Sequence, residues 1–115
     1  MQKYQGDDIA FYIEMFTDDT ESVPINLEAK DEVIIYAYTD GCTKSKHSKT
    51  VKPDYRLLEK VTSFEYAGII PSDLTKLMAE GQIILELCIT TGSINEVKVF
   101  TSGITLAKST IKVEA

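Results

Sequence analysis

Seven consecutive residues, 33–39 (VIIYAYT), restrict what this chain can fold into more than any other segment. β-Branched and aromatic side chains crowd the turns of a helix but pack well on a pleated strand, so the run reads as β-structure. Alternation sends Val33, Ile35 and Ala37 to one face and Ile34, Tyr36 and Tyr38 to the other, and both faces are apolar. Such a strand sits centrally in a sheet or presents its second face to a partner.

The same period of two recurs along the chain. Ile9, Phe11, Ile13 and Met15 alternate with Ala10, Tyr12, Glu14 and Phe16, and residues 18–22 (DDTES) then break the strand with turn formers. Residues 24–27 (PINL) read as a short extended piece that Pro24 confines to an edge or a strand start. Residues 40–54 (DGCTKSKHSKTVKPD) form a polar loop that is long for a compact domain, and 55–70 resume an extended pattern whose phase shift predicts a bulge or two short strands. One helical turn is predicted near 72–78. Ser72 would be its N-cap and Gly81 would lie past its end, with Leu74, Leu77 and Met78 on one face. Residues 82–90 then place Ile83, Leu85, Leu87 and Ile89 inward, 91–95 form a hairpin loop, and 96–102 return. Gly103 predicts a bulge or bend before a last strand over 104–113. The expectation is an all-β fold, an antiparallel Ig-like β-sandwich of six to eight strands with one short helical turn, in a single domain spanning 1–115.

Charge is unevenly spread over a chain of net charge −6. Residues 1–32 carry net −7, residues 40–60 carry net +3, and residues 61–115 carry net −2. An acidic chain has no general attraction to phosphate backbones or anionic lipid, so neither nucleic acid nor membrane is an expected partner. No run of apolar residues is long enough for a transmembrane helix, and the start (MQKYQG) lacks the apolar core of a signal peptide. The acidic arm and the basic loop have complementary signs and could mate between copies.

Catalytic constellations are not expected. The single histidine, His47, falls within a run of lysines in the predicted loop, a poor setting for a held general base, and a Cys42–His47 pair has no scaffold signal. The acidic pairs 7–8, 18–19 and 31–32 lack the ligand spacing of a Ca²⁺ loop, and the six glycines contain no phosphate-binding signature. Two cysteines cannot make a disulfide framework; Cys88 reads as a small hydrophobe and Cys42 as an exposed thiol. No cofactor or metal is expected, nor a small-molecule ligand. The residues expected to meet a partner are Tyr36 and Tyr38 on the strand face, with Lys44, Lys46, His47, Lys49 and Lys52 on the basic loop. A sugar platform on Tyr36 and Tyr38 is the second possibility, although the chain has no Trp, the residue such platforms favour.

In order, the segments 4–11 (YQGDDIAF), 24–27 with 33–36, 70–75 (IPSDLT), 81–87 (GQIILEL) and 99–103 (VFTSG) resemble the N-terminal β-sandwich domain of phage baseplate upper proteins and related tail and fibre proteins. The resemblance is one of pattern and covers most of the chain. Two features depart from it: the 40–54 loop is longer and more basic than the family's tight turn, and the chain ends where the family continues into a stalk or receptor-binding region. It implies a structural, oligomer-forming role in a phage or prophage particle, with itself or other virion proteins as partners and no catalytic residues. Such a protein would be assembled in the bacterial cytoplasm and reside in the virion. The alternative is a monomeric β-sandwich module that binds carbohydrate or protein.

Overall fold

The structure, a computed structural model, describes residues 2–16 and 23–108. In chain order the described elements are β1 (Gln2–Tyr4), β2 (Ile9–Glu14), β3 (Glu32–Tyr38), β4 (Ser45–Ser48), β5 (Arg56–Leu57), β6 (Glu59–Lys60), β7 (Glu65–Ile70), α1 (Ser72–Thr75), β8 (Gly81–Thr91) and β9 (Ile94–Ala107). They form a six-stranded sheet in the order β1-β9-β8-β3-β4-β5 and a three-stranded sheet in the order β2-β7-β6. The larger sheet curls over the smaller as a half-barrel, a mostly antiparallel β-sandwich-like fold with one short helix.

Alternation builds the core between the sheets. Ile9, Phe11 and Ile13 from β2 meet Val33, Ile35 and Ala37 from β3 and Ile83, Leu87 and Ile89 from β8, all buried. β3 is central, with β8 on one side and β4 on the other. Gly68 lies directly across from Phe11 in the β2–β7 pair, and a Cβ there would stand 2.4 Å from the Phe11 ring. The glycine makes room for the aromatic ring to lie flat across the neighbouring strand.

Several expectations need correction. Residues 40–54 are not one loop, because β4 runs through their middle, antiparallel to β3. β4 escapes a hydrophobicity reading because its inward residues are Ser45 and His47 rather than aliphatic ones. The fold is mostly antiparallel as expected, and two short strand pairs, β1·β9 and β4·β5, add parallel pairings to it. The segment 55–70 breaks into three strands, and 24–27 contributes only an isolated bridge between Pro24 and Phe16.

The helical turn is shorter than predicted. Pro71, not Ser72, occupies the N-cap. Asp8 does the capping from a distance, accepting the Ser72 N–H at 2.7 Å, while buried Thr75 donates to the Asp7 carbonyl at 2.7 Å and accepts from the Gly6 N–H at 3.0 Å. These bonds tie the N-terminal lead to the end of the core. Met78 is buried as expected, but Leu77 is 64% exposed.

The bulge expected at Gly103 is present. Gln82 pairs with Thr105 but Ile84 with Thr101, so β9 carries two extra residues there, and Gly103 adopts φ 77°. β9 is one strand through this irregularity as far as Ala107. The acidic turn at 18–22 and the 109–113 part of the predicted last strand lie outside the described residues.

Candidate interaction surface

The second face of β3 is where the sequence-predicted residues meet. Tyr36 stands between Lys46 of β4 and Glu86 of β8, Tyr38 is across from Ile84, and Ile34 is across from Cys88. One strand further, Val99 is opposite Glu86 and Val97 opposite Cys88. The three-stranded sheet packs on the other side, so no described strand covers this outer face, and the side chains just named remain half-buried or exposed.

Aromatic rings and ammonium groups interleave on it. The hydroxyls of Tyr36 and Tyr55 are 3.1 Å apart, with ring centroids at 6.4 Å. Lys44 Nζ lies 4.9 Å from the Tyr38 ring centroid and 5.7 Å from that of Tyr36, and Lys46 Nζ lies 5.8 Å from that of Tyr55. Each contact contributes about 0.5–1 kcal/mol when exposed, enough to order the lysines but not to hide their charge. Tyr38 donates to Glu86 Oε1 at 3.2 Å. The Tyr55 hydrogen bond, then partial burial, pushes the Tyr36 hydroxyl up to about 12, and burial followed by the Glu86 bond raises Tyr38. Both phenols therefore stay neutral and serve as hydrogen-bonding groups.

The other predicted residues are engaged elsewhere. Lys49 places its ammonium among the carbonyls of Leu27 (3.1 Å), Glu28 (2.7 Å) and Lys30, closing the loop before β3. Lys52 forms an ion pair with Glu32. His47 is not on a mobile loop but fully buried on β4, facing inward. Its Nε2 is 2.6 Å from Ser45 Oγ, its ring edge meets Phe11 at a centroid distance of 4.9 Å, and Nδ1 has no hydrogen-bond partner. Burial, and secondarily the Arg56 charge, lower its pKa to about 4, so the ring is neutral near pH 7. Tyr55 and Glu86 were not singled out from the sequence. Tyr55 carried no periodic signal, and Glu86 shows its place only once β8 is known to pair with β3.

The nucleophile chemistry weighed from the sequence is not assembled. Cys42 is exposed on the turn after β3 while the His47 ring is enclosed, and burial next to Glu86 raises the Cys88 thiol. Among the described residues no group of three or more His, Cys, Asp or Glu side chains could hold a metal ion, and no helix is long and apolar enough to cross a membrane. Compared with protein-family models, curated proteins and solved structures, the chain matches none. The residues gathered on the outer face form a tyrosine and lysine array on an all-β, β-sandwich-like domain, a fold compatible with protein–protein contacts.

Proposed function

We propose that this domain is a structural assembly module of a phage or prophage particle, a tail, baseplate or fibre attachment component that joins proteins through the outer face of its larger sheet. The observation that carries the reading is the uncovered array of Tyr36, Tyr38 and Tyr55 interleaved with Lys44 and Lys46. Tyrosines supply large contact area at little entropic cost, and the free ammonium groups complement acidic surfaces such as the net −7 N-terminal region of another copy. The particle itself is supported only by the order of segments shared with phage tail modules. In this reading the protein is made in the bacterial cytoplasm and resides in the virion.

Replacing both free lysines (Lys44→Glu with Lys46→Glu) tests it, with light scattering at low and high salt. The expected result is a fold of unchanged melting temperature whose self-association is weakened about tenfold, the wild-type association itself loosening with salt. Association that ignores both salt and charge reversal sinks the reading.

A glycan-binding module is the second reading, favoured by the joined Tyr36 and Tyr55. It stands lower because Lys44 lies over the Tyr38 ring face that a sugar would stack on. Saturable glycan binding lost in Tyr36→Ala would reverse that order.

A further inference from the structure

The outer half of β9 is unlike the other long strands. Residues 94–101 are exposed on both faces, and Ile94, Val97, Val99 and Phe100 are large apolar residues among them. Beyond its pairing with β1 at residues 105–107, β9 has no strand on its second side among the described residues. Long apolar edges invite strand addition, and proteins commonly blunt them with a charge. Lys98 could serve that purpose, but Glu96 sits two residues before it on the same face.

The direction of the free backbone groups follows from the hairpin. Thr91 pairs with Ile94 across a two-residue turn, with φ 59° at Gly92. Such a turn is closed by a hydrogen-bonded pair, so Ile94, Glu96, Lys98 and Phe100 bond to β8. The Thr90 carbonyl, which accepts from Asp31, points away from β9 as this phase requires. Asn95, Val97 and Val99 therefore direct their N–H and C=O groups to the open side.

We infer that β9 pairs antiparallel with β9 of a second copy about a two-fold axis at Val97, joining two six-stranded sheets into one; this deepens the assembly reading above by naming a partner. In that register Val97 meets the partner's Val97, and Asn95 and Val99 exchange backbone hydrogen bonds with the partner's Val99 and Asn95. On the opposite face Glu96 meets the partner's Lys98, Lys98 the partner's Glu96, and Ile94 the partner's Phe100. A shift of two residues either way sets Lys98 against the partner's Lys98 or Glu96 against the partner's Glu96. A shift of one would oppose outward-pointing backbone groups with inward-pointing ones. Only the register centred on Val97 satisfies backbone, charge and apolar side chains together, and an isologous contact of this kind closes as a dimer.

The test is sedimentation of the full chain over a range of concentrations. Wild type is expected to move from 12.8 kDa toward twice that mass as concentration rises. Lys98→Glu alone, and Glu96→Lys alone, should each weaken the dimer about tenfold by setting like charges opposite each other. The double swap E96K/K98E should restore it, and an equimolar mixture of the two single variants should form a heterodimer. Val97→Pro, which removes an outward N–H without touching the β8 ladder, should leave a folded monomer. Wild type that stays monomeric at millimolar concentration overturns the inference, as does a dimer indifferent to both Lys98→Glu and Val97→Pro. A dimer lost with the Lys44/Lys46 reversal but kept in these variants would overturn the β9 pairing and leave the outer-face reading standing.

Discussion

Phe11 and Val99 are both apolar residues in the middle of strands, and their surroundings differ completely. Phe11 is enclosed, with its ring over Gly68 and against the edge of His47. Val99 stands 60% exposed, with sheet on one side only. Phe11 points between the two sheets, whereas Val99 shares the outer face of the six-stranded sheet with Glu86 and Tyr36, so the same alternation gives a closed core on one face and an uncovered surface on the other. A periodic apolar pattern therefore reports that a face is meant to be covered. It does not report whether the cover belongs to the same molecule.

The sharpest way to break this contrast is to truncate one side chain in each region. Phe11→Ala opens a cavity among Gly68, His47 and Leu58 and should cost about 3–5 kcal/mol in urea unfolding. A loss below about 1 kcal/mol would mean that this end of the sandwich is not tightly packed.

Protonation probes the same core without removing an atom. His47 is held at about 4 in the fold against an ordinary value of 6.5. Between those values the unfolded chain takes up a proton that the folded chain refuses. Its contribution to stability is thus intact above pH 6.5 and declines as the pH falls towards 4. The decline attributable to this residue should be about 3 kcal/mol. Urea titrations at pH 7 and pH 4 would detect it as the excess loss of wild type over His47→Gln. Equal losses in the two proteins would place the imidazole in contact with water.

The smallest expected effect sharpens the other half of the comparison. Val99→Thr should change monomer stability by no more than about 0.5 kcal/mol, since the site is exposed and threonine suits a strand equally well. A loss of several kcal/mol, measured at a concentration where the protein is monomeric, would show that β9 is covered within one chain.

How much was legible follows this same division. The inward faces of β2, β3 and β8 could be read directly, because each places aliphatic or aromatic residues at every second position. β4 could not, since Ser45 and His47 look like loop residues until Ile35 is found opposite His47 and the Ser45–His47 bond is seen. β1 has three residues, too few for a period to show. On the candidate surface Tyr36, Tyr38, Lys44 and Lys46 were legible, whereas Tyr55 joins them through a hydrogen bond nineteen residues away in the chain. Lys49 and Lys52 carry the same charge as their neighbours, and only the position of the carbonyls of 27–30 and of Glu32 distinguishes structural lysines from free ones.

By itself the sequence determined the β character, the faces of the principal strands, the punctuation at Gly103 and the doubly apolar nature of β3, because these depend on neighbours one to four residues apart. The tertiary structure alone decided strand order, the two parallel pairings, the burial of His47 and the exposure of the far half of β9. Those properties arise from pairings between distant segments, where register and the relative placement of the two sheets settle which apolar face is covered and which is left exposed.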